Sequence, residues 1–184
     1  MLKLTNATID DTIKPAIEWV NGKPVQKLKP TDFHAFIQAA FLRMLYAWSK
    51  IATGGRGKVG AEWRFRIPPN SFNTDSVVPD VAYLATYFHL PKAERRYPAI
   101  PPDIVVEVRS PGDDEMEIAS KRDFYLSWGV KLVIIADPEL RSVEAQEINN
   151  AVSHLNESDT LTSKVFPTLG ISLCEIFAEL DEPE

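Results

Sequence analysis

The feature that most constrains this chain is a charged residue inside a short apolar run. Residues 104–108 read Ile-Val-Val-Glu-Val, with prolines before them and the turn sequence Ser110-Pro111-Gly112 soon after. An apolar run of this length between turn residues predicts a buried β-strand. A carboxylate in such a strand is costly unless it is protonated, paired with a cation or bound to a metal. We therefore expect Glu107 to have a charged partner nearby.

A second acid, Asp80, lies in residues 77–84, a stretch that predicts another strand with an acid near its start. Two carboxylates about 4 Å apart repel by about 4 kcal/mol at an effective dielectric constant of 20. A pair that faces one pocket therefore favours a shared proton or a divalent cation. Oxygen ligands alone suit a hard cation such as Mg²⁺.

The residues after the Glu107 strand predict a helix, 113–128, with an acidic first turn and Gly129 as its C-terminal cap. Lys121 precedes Phe124, Tyr125 and Trp128 at helical spacings, which places it on the aromatic, inward side. On the preceding strand, strict alternation puts Asp103, Glu107 and Arg109 on one face. We expect this polar face to meet Asp80 and the helix lysine.

Asp80 after a proline, Glu107 in an apolar strand and then a lysine resemble the PD-(D/E)XK nuclease superfamily. The sequence motifs of this chain are more similar to those of one branch, the Uma-type family of restriction-endonuclease-like proteins. The matching pieces cover nearly the whole chain; they are EWVNG, PDV, PDIVVEVRSP, KRDFYLSWGV, the pair Asp137-Pro138 and FPTLGISLCEIF. One departure from the superfamily spacing is that Arg109 stands two residues after Glu107, where a lysine is usual. In this branch the lysine moves to the next helix, as Lys121.

The resemblance implies an α/β fold with a restriction-endonuclease-like core, in which helices flank a central mixed β-sheet, and the sequence adds an N-terminal hairpin. It also implies a magnesium-dependent endonuclease that hydrolyses DNA phosphodiester bonds, with Mn²⁺ as a substitute metal. Asp80, Glu107 and the backbone carbonyl of Val108 would bind the metal, and Lys121 would assist the attacking water.

Three further residues are candidates with two interpretations each. Glu18, in the first predicted strand, is either another member of the site or a surface residue. His34, in the first turn of a helix predicted to begin at Thr31 or Asp32, is either a general base or a packing or capping residue. Arg109 either neutralises a neighbouring phosphate or pairs with Asp103 or Glu107.

Other local patterns predict the rest of the fold. The Asn21-Gly22 pair predicts a β-hairpin. Alternating apolar residues predict one strand over 59–67. An apolar strand at 132–136 after the Lys121 helix predicts a parallel neighbour for the Glu107 strand. A second hairpin is expected around Asn149-Asn150, with residues 161–166 as a possible addition, and a short helix at 172–180.

Length and composition predict one domain over all 184 residues, with a loosely held lead-in at 1–15 and a surface excursion at 87–102. The excursion either closes over the site or meets a second subunit. The single cysteine excludes an internal disulfide. We see neither a signal peptide nor a membrane span, so we expect a cytoplasmic location.

The net charge of −6 weighs against a protein that coats nucleic acid indiscriminately. A nuclease needs only a local basic rim. Three groups are either such a rim or ordinary solvated surface: Lys50, Arg56 and Lys58; Arg64 and Arg66; and Lys92, Arg95 and Arg96. The alternative function is a catalytically silent nuclease fold that binds or scaffolds, and a third is hydrolysis of another phosphate ester. A homodimer is expected, because nucleases that cut both strands often pair two copies.

Overall fold

The computed structural model describes residues 17–20, 23–26, 31–68, 72 and 74–181. The helices are α1 (Asp32–Thr53), α2 (Glu115–Trp128) and α3 (Leu173–Phe177), with 3-10 turns at Tyr87–His89 and Ala178–Leu180. The strands in chain order are β1 (Ile17–Val20), β2 (Lys23–Gln26), β3 (Lys58–Ala61), β4 (Phe65–Arg66), β5 (Thr74–Val77), β6 (Val81–Leu84), β7 (Ile104–Val108), β8 (Leu132–Asp137), β9 (Ser142–Glu147), β10 (Ser153–Asn156), β11 (Thr160–Thr162) and β12 (Gly170–Ser172).

The main sheet has six strands in the order β10-β9-β8-β7-β6-β3. β7 and β8 are parallel, and α2 is the crossover helix between them, while their other neighbours are antiparallel. This mixed sheet confirms the predicted α/β class and the predicted parallel pair. It also places the end of β7, where Glu107 lies, beside the end of β8.

A second sheet of four strands has the order β2-β1-β5-β4. The predicted N-terminal hairpin is present as the antiparallel pair of β1 and β2, although its Asn21-Gly22 turn lies outside the described residues. The strand predicted over 59–67 is wrong as one element: β3 joins the main sheet and β4 joins the second. Glu62 between them has a φ of 49°, a left-handed conformation that breaks a strand.

The predicted hairpin around Asn149-Asn150 is confirmed as β9 and β10. Of residues 161–166, which were considered as an addition to it, only the first two lie in a strand, β11, and that strand pairs with β12. The short terminal helix is confirmed as α3 and the 3-10 turn after it. Among the described residues, no helix has the length and apolar character needed to cross a bilayer.

Every residue of β6 and β7 is buried, because helices cover both faces of the main sheet. α1 and α3 pack on the face that carries Val81, Ile104 and Val106. Tyr125 of α2 packs on the other face, against Val105. Since alternate residues of a strand share a face, Glu107 points to the α2 side with Val105.

α2 begins and ends at strong capping residues. The Asp114 carboxylate accepts hydrogen bonds from the backbone N–H groups of Met116 and Glu117. Gly129 ends the helix with a φ of 111°, which only glycine adopts without strain. These two caps confirm the predicted helix and fix which of its residues face the sheet.

Candidate active site

Glu107 is a buried acid with two specific partners on α2. Its side chain is about one-tenth exposed, and its Oε2 lies 2.8 Å from the ammonium of Lys121. Its Oε1 accepts a hydrogen bond of 2.6 Å from the hydroxyl of Tyr125. The structure therefore supplies the charged partner that a carboxylate in an apolar strand requires.

Lys121 and Tyr125 reach the same carboxylate because they are four residues apart on α2 and share its inward face. Lys121 is at the margin of the core, with 30% of its side chain exposed, whereas Tyr125 is fully buried. The inward position of Lys121 was predicted from its helical spacing. The role of the Tyr125 hydroxyl was not, although the same spacing was the available signal.

Asp80 lies at the same end of the sheet as Glu107. β6 pairs with β7 in antiparallel register, with Val81 opposite Val106, so the residue before β6 reaches the end of β7. The Oδ2 atom of Asp80 accepts a hydrogen bond of 2.8 Å from the backbone N–H of Val108, the residue after Glu107. Asp80, which is only 1% exposed, therefore lies across from Glu107 on the neighbouring strand.

His34 is the second partner of Asp80. It lies in the first turn of α1, where its backbone N–H donates to the side chain of the N-cap residue, Thr31. Its Nε2 atom is 3.2 Å from Asp80 Oδ2, and the residue is 6% exposed. Its other ring nitrogen, Nδ1, is buried and has no hydrogen-bond partner among the described residues. The imidazole is therefore within ion-pair distance of the Asp80 carboxylate.

Arg109 does not pair with Asp103 or Glu107, so that interpretation is wrong. Its guanidinium donates to the Glu115 carboxylate at the start of α2 and lies 3.5 Å from Asp137 Oδ2 at the end of β8. Burial lowers the pKa of Arg109, but the Glu115 hydrogen bond and the neighbouring carboxylate charges outweigh it and raise the pKa overall. Arg109 is therefore a cation held between two acids, and a contact with a phosphate stays a prediction.

Asp103 is not part of the site, contrary to the expectation from its shared face with Glu107. It lies before β7, about 13 Å along the strand from Glu107 at the usual rise per residue. Its carboxylate binds the Lys131 ammonium at 2.6 Å and the Ala85 backbone N–H at 2.7 Å. Sharing a face was correct, but the separation along the strand makes Asp103 a structural ion pair at the other end.

Glu18 lies in β1, but its side chain is outside the described part of the structure, so its membership of the site stays a prediction. Within the described ranges, no group of three or more His, Cys, Asp or Glu side chains is arranged to hold a metal ion. A metal would therefore rely on fewer side chains, with backbone or water oxygens as the remaining ligands.

A cavity of about 270 Å³ adjoins this end of the sheet. The start of α1, the loop after β7 and the residues after β8 line it, and Arg109 contributes to its wall. Asp80, Glu107 and Lys121 are not among the lining residues. The cavity is therefore a neighbour of the acid pair and does not enclose it.

One solved structure has the same fold as this chain. A crystal structure described as a "putative nuclease belonging to DUF820" from Anabaena variabilis ATCC 29413 superposes with a TM-score of 0.78. The alignment covers 91% of this chain and 93% of that chain at 20% sequence identity, and it establishes a shared fold. A search of curated proteins finds no match.

The profile of one protein family, described as "Uma2: Putative restriction endonuclease", matches residues 4–174. The matched range includes Asp80, Glu107 and Lys121, together with the partners that hold them. It confirms the resemblance found in the sequence motifs, and the chain belongs to the Uma2 family.

Proposed function

We propose that this protein is a divalent-metal-dependent endonuclease that hydrolyses DNA phosphodiester bonds, with Mg²⁺ as its metal and Mn²⁺ as a substitute. The observation that carries the proposal is the 2.8 Å contact between Lys121 and Glu107, next to Asp80. An acid pair with an adjacent amine has the charges that phosphodiester hydrolysis needs. Membership of a family of restriction-endonuclease-like proteins supports nucleic acid as the substrate.

The residues fit a hard cation in the chemistry of their donors. Asp80 and Glu107 offer carboxylate oxygens and Val108 offers its backbone carbonyl, all oxygen ligands of the kind that Mg²⁺ prefers. A carboxylate has about four acceptor positions, so a carboxylate that accepts hydrogen bonds can also bind a cation. A bound metal would polarise the phosphate and lower the pKa of a coordinated water.

Side chains and backbone groups of the protein have the remaining roles in the proposed reaction. The Lys121 ammonium orients the attacking water or stabilises charge that develops on the phosphate. The Tyr125 hydroxyl fixes the direction of the Glu107 carboxylate. The Val108 N–H and His34 hold Asp80 Oδ2, so that the acid enters the reaction with its orientation already set. Arg109, the residue after β7, would contact a neighbouring phosphate.

A plasmid-cleavage assay tests the proposal. Purified protein is incubated with supercoiled plasmid and Mg²⁺, then with Mn²⁺, and then with a chelator. Cleavage should require metal and should fall at least about 100-fold in Asp80→Asn and Glu107→Gln, since both remove a ligand charge. The matched control is Glu179→Gln, a surface acid paired with Arg43. Cleavage at the full rate in both site variants would contradict the proposal.

A catalytically silent binding protein is the second candidate, and one observation favours it. Lys121 and Tyr125 already neutralise and hydrogen-bond Glu107, so the buried network is satisfied within the chain itself. Titration calorimetry separates the two candidates. An endonuclease should bind Mn²⁺ or Mg²⁺ in a way that Glu107→Gln weakens, whereas a silent protein needs no such binding.

The proposal also includes a cytoplasmic location and a homodimer that would cut both strands. Light scattering coupled to size-exclusion chromatography measures the mass of the particle in solution and so tests the homodimer. A mass of twice 20.7 kDa is expected, and a single-chain mass at micromolar concentration would contradict it.

A further inference from the structure

Lys58 lies at the opposite end of β6 from Asp80, and it belongs to a group of cations and aromatic rings that the proposed chemistry does not use. We call this group the basic end. It comprises Lys58, Arg66, Lys92, Arg95 and Arg96, with the rings of Phe88 and Tyr97.

Several cations elsewhere in the described structure are paired with carboxylates. Those with an acidic partner are Arg43, Arg109, Lys121, Arg122, Lys131 and Arg141. Within the ranges that the structure describes, no such ion pair involves Lys58, Arg66, Lys92 or Arg95. In a protein with a net charge of −6, these charges are left uncompensated at one end.

The cations are ordered against aromatic rings. The Lys58 ammonium lies 5.3 Å from the centroid of the Phe88 ring, and the Arg95 guanidinium lies 5.6 Å from the same centroid. The Arg66 guanidinium lies 5.3 Å from the Tyr97 centroid. Cations over rings at these distances are held in place by the charge distribution of the ring, so little mobility is lost when they bind a ligand.

Backbone contacts fix this arrangement further. Arg95 donates to the backbone carbonyls of Leu90 and Phe88 at 3.0 and 2.9 Å. The backbone N–H of Arg66 donates to the Pro98 carbonyl at 2.8 Å, and this hydrogen bond joins β4 to the excursion between β6 and β7. The ring of Phe88 nevertheless remains 45% exposed. The basic end is therefore an ordered surface with charge and an accessible ring.

Its position is set by the strand register. Lys58 lies opposite Leu84, at the end of β6, while Asp80 precedes the start of the same strand. Four residues of strand place the two ends about 13 Å apart. This is too far for the basic end to act on a phosphate at Glu107, and close enough to contact the same nucleic acid a few nucleotides away.

We propose that the basic end binds the sugar-phosphate backbone of nucleic acid independently of the divalent metal. Fixed cations attract phosphates, and exposed rings beside them stack with bases, a combination typical of nucleic-acid surfaces. The choice of nucleic acid over an acidic peptide rests on the proposed function and on the rings, for which a peptide of acidic residues has no counterpart. The excursion, residues 87–102, contains a single acid, Glu94, that would repel phosphates.

Fluorescence anisotropy in the presence of a chelator tests the proposal without any cleavage. A labelled 20-nucleotide DNA is titrated with protein as a single strand and as a duplex, from 50 to 200 mM salt. Lys58→Glu and Lys92→Glu should each weaken binding about three- to tenfold and reduce the salt slope by about one phosphate contact. The matched control is Lys164→Glu, an exposed lysine in the loop after β11, which should leave binding unchanged.

The outcomes separate this inference from the proposed function. Absence of binding by the wild type to either DNA, or equal binding by Lys92→Glu, Lys58→Glu and Lys164→Glu, would overturn it. So would displacement of the DNA by polyglutamate at the same charge concentration. Binding is measured in chelator and needs no cleavage, so a failure of the cleavage assay leaves this result intact. Circular dichroism confirms that each variant is folded.

Discussion

The ammonium of Lys121 lies 2.8 Å from Oε2 of Glu107, although the two residues are 14 positions apart and belong to a helix and a strand. The pair brings a mobile amine to a buried acid beside Asp80. Because the ammonium is partly exposed and the carboxylate is not, the lysine is the member of the pair that can move toward a substrate.

Replacing Lys121 with methionine should separate its catalytic role from metal binding. The variant keeps the length of the side chain but removes the charge, so DNA cleavage should fall about 100- to 1000-fold. Metal affinity should stay the same or rise, because the cation that competes for Glu107 is gone. Calorimetry with Mn²⁺ and the plasmid assay measure the two effects. A parallel loss of metal affinity would show that Lys121 supports the fold of the site instead.

Tyr125→Phe should act through Glu107 alone. The ring stays in the core, where it is fully buried, and only the hydroxyl that donates to Oε1 is lost. A hydrogen bond to a charged group contributes about 1.5 to 3 kcal/mol to the free energy of unfolding, which urea unfolding at pH 7 measures. We expect kcat to fall with KM unchanged, because the substrate does not contact this hydroxyl. An unchanged kcat would limit Tyr125 to a structural role.

His34→Ala should weaken metal binding by loosening Asp80. Partners of metal ligands typically change metal affinity about 10- to 100-fold, and His34 is within hydrogen-bond reach of Asp80 Oδ2. His34→Asn, which retains an N–H donor, should recover part of the loss. Calorimetric titration with Mn²⁺ gives the affinities. Wild-type affinity in His34→Ala would mean that the Val108 N–H holds Asp80 without help.

Glu147 should make a pH-dependent contribution to stability far from the site. Burial raises the pKa of its carboxyl, but hydrogen bonds from the Ser163 hydroxyl and from the Lys164 and Val165 backbone N–H groups outweigh this and lower the pKa below 4.5. A lowered pKa stabilises the folded state above pH 4.5, and the contribution is lost as the pH falls through the folded-state value.

The matching variant is Glu147→Gln, which retains an acceptor but no charge. The difference in free energy of unfolding between the wild type and this variant should be largest near neutral pH and should shrink below pH 4.5. Urea unfolding over a series of pH values measures it. A difference that does not change with pH would show that the carboxylate charge is not what holds residues 163–165.

Much of the fold was predictable because local rules determined it. Apolar runs located β7 and β8, and caps located the ends of α2. The spacing of Lys121 to Tyr125 predicted that the lysine faces the sheet. The break at Glu62 was not predictable, because a left-handed conformation in a residue other than glycine leaves no mark on an alternating pattern.

The site was predictable in part for a related reason. Asp80, Glu107 and Lys121 belong to motifs that the resemblance makes visible. The contact between His34 and Asp80 joins residues 46 positions apart, and the Arg109 partners depend on how α2 and β8 end beside each other. Such contacts follow from the packing of elements against each other, which periodicity within one element does not specify.

The four-residue spacing of Lys121 and Tyr125 on α2 has a consequence for how this protein can diverge. Both residues contact Glu107, and a helix turns about 100° per residue. Loss or gain of a single amino acid between them would rotate one of the two side chains away from the acid. Relatives that keep both contacts should therefore conserve this spacing more strictly than the identity of the residues that lie between the two positions.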